Sequence, residues 1–351
     1  MSVYDFLIPG SIDRPTGGSR YDRAMITGLR DRGLRVNVHE LPGDFPGPDE
    51  TAQAMLTQCL DSLPDASQVI VDGLVLGGWP ACFQPHAKRL CLIALIHHPL
   101  TDETGLDKQT AARRHASERE ALRLVNGVIT TSAFTARRLL RLDLYHGPVS
   151  VVPPGCAPAP LSPQHKRKRV ELLCLGALIE RKGQDRLIEA LKTLTALPWN
   201  AWLVGADDLD PAFAQARREQ VSHYGLEPRI KITGALAREP LERIWTKTDV
   251  FVLPSRYEGY GMVVTEAVAR GIPVITTDAG ALPDTLPDGA GLWVANADEH
   301  ALHEALHRVL ADPDLRQKLR AGAMAARAHL HDWPVRVGNF NDALKRINAH
   351  A

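Results

Sequence analysis

At 351 residues the chain is about two ordinary domains long, and 44% hydrophobic with 23% charged residues is the make-up of a globular protein, not of a disordered or fibrous one. Lys and Arg (41) balance Asp and Glu (41), so no global field draws in nucleic acid or an acidic polymer. Cys59, Cys82, Cys91, Cys156 and Cys174 form no C-x-x-C pair and read as reduced thiols of a cytoplasmic protein; the longest apolar run, Leu90 to Ile96, is too short to span a bilayer.

Val3 to Pro9 reads as a buried first strand, with no basic leader before it. Pro15-Thr-Gly-Gly-Ser-Arg20 reads as a glycine turn entering a helix from Tyr21 to Arg32, capped by Gly33. Leu34 to Val38 is the next strand, and a Pro-rich loop leads to a helix over Glu50 to Leu63. Strands recur at Gln68 to Asp72, Leu90 to Ile96, Gly127 to Thr131 and Val149 to Val152, with helices over Ala112 to Val125 and Ala133 to Leu142. Strand alternating with helix predicts a parallel sheet covered by helices on both faces.

Residues 153–169 break this pattern with five prolines and the basic run His165 to Arg169, which carries no interleaved aromatic residue and reads as a solvated linker edge. The alternation then restarts. Strands are expected at Val170 to Leu175, Trp202 to Gly205, Ile230 to Thr233, Val250 to Leu253, Ile272 to Thr276 and Gly291 to Val294. Helices over Glu299 to Leu310, Pro313 to His329 and Trp333 to Ala349 close the chain. The expected domains are 1–152, a linker at 153–169, 170–330, and a final helix within 331–351 that packs back on the first domain.

The most informative stretch is Glu258-Gly-Tyr-Gly-Met-Val-Val-Thr-Glu266, between the buried run Val250 to Leu253 and a helix over Met262 to Arg270. Gly259 and Gly261 permit a sharp turn that aims free N–H groups and a helix N-terminus beyond the strand, a site for an anion. Glu266 lies among Val263, Val264, Ala267 and Val268, so its carboxylate needs a partner: a ribose diol, or an arginine such as Arg270 or Arg256. A second strand-to-helix turn, Leu175 to Gly183, brings Arg181 and Lys182 beside a helix start and suits a diphosphate. Ile232-Thr-Gly-Ala-Leu236 ends another strand, where its backbone can meet a base edge.

In the first half, His97 and His98 end a buried strand, with Asp102 and Glu103 close behind as partners for proton transfer. Adjacent side chains on an extended segment diverge, which disfavours a metal there. Asp208-Leu-Asp210 has the form of a cation-binding triplet, yet reads more simply as a turn and helix N-cap.

With these residues in hand, the chain resembles the retaining GT-B-fold glycosyltransferases of family four. Glu258 to Glu266 matches the E-x7-E motif; Gly176 with Arg181-Lys182-Gly183 matches the phosphate loop; Gly17-Gly18 matches the N-terminal glycine loop. Thr131 to Thr135 and Val152 to Gly155 are similar to the end of the family's N-terminal domain and its hinge. The resemblance implies two Rossmann-like domains facing each other across a cleft, with the C-terminal helix crossing back to the first. It implies a nucleotide-sugar donor, a UDP-sugar by default, as substrate, with neither cofactor nor metal. In that scheme Glu266 binds the ribose, Arg181 and Lys182 the diphosphate, and Glu258 with the Tyr260, Gly261 and Met262 backbone the sugar. The Val263 N–H faces the phosphates, Gly176 belongs to the phosphate loop, and Thr233, Gly234, Ala235 and Leu236 flank the base. His97 approaches the anomeric carbon and the acceptor, and Gly17 and Gly18 give donor phosphate and acceptor close access.

Two departures stand out. Ala177 follows the phosphate-loop glycine where many members carry arginine, and His97-His98 replaces the more usual His-Asp pair. The expected reaction moves a hexosyl group to an acceptor hydroxyl with retention. A soluble small-molecule acceptor is favoured over a lipid because no basic amphipathic helix is conspicuous, with peripheral membrane contact the less favoured alternative. A nucleotide-sugar epimerase or hydrolase using His97, Asp102 and Glu103, and a non-catalytic nucleotide-sugar-binding protein, are the other readings.

Overall fold

A computed structural model describes residues 3–163, 167–296 and 298–349. The chain divides into two compact units, one of residues 1–155 with 331–351 and one of residues 156–330. The first contains β1 (Val3–Pro9), α1 (Gly17–Asp31), β2 (Arg35–Leu41), α2 (Glu50–Ser62), β3 (Gln68–Asp72), α3 (Gly73–Gly78), α4 (Pro80–Phe83), β4 (Cys91–Ile96), α5 (Lys108–Leu122), β5 (Gly127–Thr130), α6 (Ala133–Arg141) and β6 (Val149–Val151). The second contains β7 (Val170–Leu175), α7 (Gln184–Leu191), β8 (Trp199–Val204), α8 (Pro211–His223), β9 (Ile230–Ile232), α9 (Arg238–Trp245), β10 (Val250–Leu253), α10 (Met262–Ala269), β11 (Val274–Thr277), α11 (Leu282–Thr285), β12 (Gly291–Val294), α12 (Glu299–Ala311) and α13 (Pro313–Arg327). The last helix, α14 (Trp333–Asn348), returns to the first unit.

Each unit holds a six-stranded parallel sheet, in the order β2-β1-β3-β4-β5-β6 and β12-β11-β10-β7-β8-β9. The winding direction reverses between β1 and β3 in the first sheet and between β7 and β10 in the second. At such switch points the loops leaving adjacent strands part and open a crevice at the carboxyl edge. Both central regions are continuous apolar runs because helices cover both sheet faces. In the first unit, α14 buries Phe340, Ala343 and Leu344 against Phe6, Tyr21, Met25 and Leu29. A Cβ on Gly28 of α1 would come within 2.5 Å of Val337, so the two helices approach closely there only because residue 28 has no side chain.

Three departures from the expected elements bear on the site and the cores. Helix α1 starts at Gly17, not Tyr21, because Thr16 caps it by accepting the Ser19 N–H, so both glycines lie in the first turn. Helices α3 and α4 were not anticipated, because Gly73, Gly77 and Gly78 leave no helical apolar period to read. Strand β8 begins at Trp199, whose indole is fully buried and donates to the Leu194 carbonyl. In the basic run, His165 and Lys166 lie outside the described residues, and Arg167 to Arg169 are exposed.

Candidate active site

In the second unit the switch point is formed by the loops after β7 and β10. Both loops enter their helices through left-handed glycines, Gly183 (φ +70°) and Gly261 (φ +90°), with no side chain capping either helix. The first-turn N–H groups of α7 and α10 therefore emerge at the same sheet edge, where a phosphate is favoured. The loops are locked together. The Arg256 N–H donates to the Arg181 carbonyl at 2.7 Å, and Arg256 forks onto Asp185 at 2.9 and 2.6 Å. A Cβ on Gly183 would lie 2.1 Å from the Pro254 carbonyl oxygen.

This packing gathers the charged residues. Lys182 Nζ donates to Glu258 Oε1 at 2.5 Å and Ser255 Oγ donates to the same oxygen at 2.7 Å. Arg181 Nη1 stands 3.9 Å from Glu258 Oε2 and donates to the Tyr257 carbonyl at 3.2 Å. Burial works against ionisation of Glu258, but Lys182 and Arg181, with the Lys182 and Ser255 hydrogen bonds, outweigh it and hold the carboxyl below its usual range. Lys182 and Arg181 thus both bring positive charge to one buried carboxylate. The backbone of Glu258 is fixed from the other side: Ala281 N–H donates to its carbonyl at 2.8 Å, while Thr285 Oγ1 donates to the Tyr260 carbonyl at 2.6 Å.

Gly176 lies against the Lys182 stem, and its carbonyl receives Gln184 Nε2 at 3.2 Å, as does that of Ala177 at 2.9 Å. Thr233 to Leu236 leave β9 at the same edge. The Gly205 N–H donates to the Gly234 carbonyl, and Ala235 is exposed. On α10, Met262, Val263 and Glu266 form a half-exposed stripe, whereas Val264, Thr265, Ala267 and Val268 are buried. Arg270 donates to the Glu266 carbonyl and pairs through its other nitrogen with Glu242 at 2.6 Å, while Arg256 is committed to Asp185. Asp210 caps α8 by accepting the Phe213 N–H, and Asp207 pairs with Arg218.

In the first unit Gly18 packs beside the His97 ring, 3.4 Å from the position of a Cβ to Cδ2. His97 Nε2 lies 3.2 Å from Asp22 Oδ1 and 3.5 Å from Asp72 Oδ2, and both carboxylates are buried. Asp72 also caps α3 through the Leu74 N–H, and the Thr131 and Thr135 hydroxyls donate to the His97 carbonyl. Burial opposes a charge on His97, yet the two carboxylates raise its pKa to about 10, so the ring is an imidazolium at neutral pH. His98 pairs with Glu103 at 3.1 Å and Asp102 with Arg138 at 2.7 Å, which leaves the expected acid-base residues in separate pairs. Asp22, Asp72 and His97 are also the group among the described residues whose donor atoms, all within 4.8 Å, could gather round a metal ion. That role competes with the ion pair, since a metal takes the neutral ring.

The raised pKa of His97 sets a pH dependence. Because the folded value lies above that of a free imidazole, the ion pair contributes its full stability below about pH 6.5 and loses it as pH rises through about 10. Denaturant titrations from pH 7 to 10.5 are expected to show a falling midpoint, with a shallower fall in His97→Gln; parallel curves would rule the ion pair out.

Sequence reasoning missed Asp22, Asp72, Ser255 and Gln184. For Asp22 a signal existed: it falls on the buried stripe of α1 with Tyr21, Met25 and Leu29, where a carboxylate demands a partner.

Two doubly wound units with their charged loops at the switch points define a GT-B architecture, and solved structures carry the same fold. Sucrose-phosphate synthase from Thermosynechococcus elongatus superposes with a TM-score of 0.82 at 21% identity over 100% of both chains. Anabaena HepE, solved with UDP and glucose, gives 0.76 at 17% identity over 99% of this chain and 100% of its own. Residues 161–325 match the family described as Glycosyl transferases group 1. A GDP-mannose-dependent alpha-(1-6)-phosphatidylinositol monomannoside mannosyltransferase of Mycolicibacterium smegmatis is 30% identical over 249 residues, 65% of this chain and 62% of its own length. Mannosylfructose-phosphate synthase of Agrobacterium fabrum is 37% identical over 117 residues, 32% of this chain and 26% of its own. The chain thus spans less than two thirds of these curated relatives.

Proposed function

We propose that the chain transfers a hexosyl group from a nucleoside-diphosphate sugar to an acceptor hydroxyl with retention of configuration and without a metal. The observation that carries this reading is the cluster of Arg181, Lys182 and Glu258 beside the uncapped starts of α7 and α10. Lys182, Arg181 and the helix N-termini would neutralise the diphosphate as it leaves, and charge stabilisation of this kind is usually the largest catalytic term. Glu258 and the 260–262 backbone would hold the sugar, Gly176 and the Val263 N–H would border the phosphates, and residues 233–236 would flank the base. Glu266, on the half-exposed stripe of α10, would hold the ribose hydroxyls. Gly17, Gly18 and His97 would serve the acceptor, His97 as a fixed cation and hydrogen-bond donor rather than as a base. The names of the relatives favour mannose, with GDP-mannose the donor of the mycobacterial protein, over the UDP-sugar default. The relatives' names, a phosphatidylinositol mannoside transferase and a mannosylfructose-phosphate synthase, favour neither a lipid nor a soluble acceptor.

Thermal shifts with UDP, GDP, ADP and TDP, each in magnesium and in EDTA, test the donor site on wild type and Glu266→Ala. One diphosphate is expected to stabilise the wild type equally in EDTA, by about 2.7 kcal/mol at a hundredfold excess over Kd, and to lose most of the effect in the variant. Stabilisation only with magnesium, or unchanged in Glu266→Ala, would overturn the metal-free site or the ribose role respectively. Sugar release from the matching donor without an acceptor would favour hydrolysis.

A further inference from the structure

Six side chains among the described residues hold a buried polar atom without a hydrogen-bond partner, and one of them, Gln184, opens the helix α7 at the switch point of the second unit. The residue is 1% exposed and its Oε1 is the atom left over, a desolvation cost that a leucine of similar size would not carry. The other half of the amide accounts for a glutamine there. Its Nε2 donates to the Gly176 carbonyl at 3.2 Å and to the Ala177 carbonyl at 2.9 Å, both in the turn that follows β7.

These two bonds decide which way two peptides face. In a trans peptide the N–H points opposite to the C=O, so drawing the carbonyls of 176 and 177 toward Gln184 turns the N–H groups of Ala177 and Leu178 to the other side. The Leu178 N–H is taken by the Ala206 carbonyl at 2.7 Å. The Ala177 N–H has no acceptor among the described residues, and Ala177 is half-exposed. The Gly176 carbonyl is seated over Gly205, where a Cβ would stand 1.9 Å from its oxygen, and the Val204 carbonyl holds the Gly176 N–H at 2.9 Å. The Lys182 stem lies against Gly176, with Cδ 3.3 Å from the position of a Cβ, which sets this peptide beside the Lys182–Glu258 pair. A backbone donor without an acceptor thus stands next to the cations, and the two oxygens that would repel an anion there are turned away.

We propose that Gln184 is a positioning residue for the donor's diphosphate: its amide holds the Gly176 and Ala177 carbonyls away from the site and presents the Ala177 N–H to a phosphate oxygen. This role rests on the diphosphate reading of these loops, and it supplies a donor at residue 177 although the alanine side chain has none. A backbone N–H fixed in advance needs no reorganisation on binding, and its bond to an ionised oxygen is stronger than one to a neutral acceptor.

The test measures the affinity of the full chain for GDP and guanosine, and for UDP and uridine, the diphosphates by isothermal titration and the nucleosides by displacement. Each pair shares base and ribose, so the ratio of the two dissociation constants reads the phosphate contacts. Gln184→Leu keeps the bulk and the helix but removes the amide; it is expected to weaken the diphosphate that wild type binds roughly tenfold and to leave its nucleoside within about twofold. A change that merely loosens the fold weakens both alike, and an unmoved ratio overturns the proposal. Should the variant fail to fold, the Ala177 amide proton of wild type labelled with 15N-alanine, assigned by its loss in Ala177→Gly, decides. It is expected to move downfield with the diphosphate and not with the nucleoside; no movement, or the same movement with both, overturns the role. If wild type binds a diphosphate and the ratio is unmoved, this role falls while the donor site stands, and if wild type binds none, both fall.

Discussion

Lys182→Ala is expected to lower kcat by about 10²–10³-fold, the range for removing one preorganised charge from a developing anion. The same change leaves Glu258 buried without its 2.5 Å partner, which costs stability: breaking a buried pair typically costs about 3–5 kcal/mol. Activity loss by itself would therefore not separate chemistry from folding. The double variant Lys182→Ala/Glu258→Gln, read against Glu258→Gln alone, does, because in both the carboxylate that Lys182 pairs with is neutral while the Ser255 hydrogen bond to residue 258 stays available. Urea midpoints are expected to recover most of the loss in the double variant, while its turnover stays well below that of Glu258→Gln. If the double variant turns over as fast as Glu258→Gln, the diphosphate role of Lys182 is lost and its function is to neutralise Glu258.

Gly183→Ala is expected to be among the most destabilising single substitutions in the chain. Its φ of +70° alone costs an L-residue about 1–2 kcal/mol. The added Cβ would also stand 2.1 Å from the Pro254 carbonyl oxygen, a backbone atom that cannot rotate away. Gly225 is the matched control, with φ +64° and nothing within 4 Å of a Cβ. Gly225→Ala should cost only the conformational part, whereas Gly183→Ala should cost several kcal/mol in total and part the two switch-point loops, with loss of nucleotide-induced stabilisation. Similar midpoints for the two variants would contradict the close approach of the 183 and 254 backbones.

Much of the frame was legible because its signals are local. Val250 to Leu253 is apolar without interruption, Gly261 must turn where a strand meets a helix, and Arg181-Lys182-Gly183 sits at a helix start whatever surrounds it. The alternation that wound two parallel sheets is likewise a property of short windows. Helices α3 and α4 were not legible, because glycine-rich turns owe their shape to the contacts around them: a Cβ on Gly77 would meet Leu100 at 2.5 Å.

The sequence by itself determined which residues carry charge, which segments coil or extend, and which glycines the turns require. Tertiary structure alone decided the partners. Lys182 and Glu258 are 76 residues apart, and Asp22, Asp72 and His97 come from α1, the end of β3 and the loop after β4. Composition offered every carboxylate many cations; strand order and burial chose one, since a desolvated charge is tolerated only beside the opposite charge that the fold brings within a few ångströms.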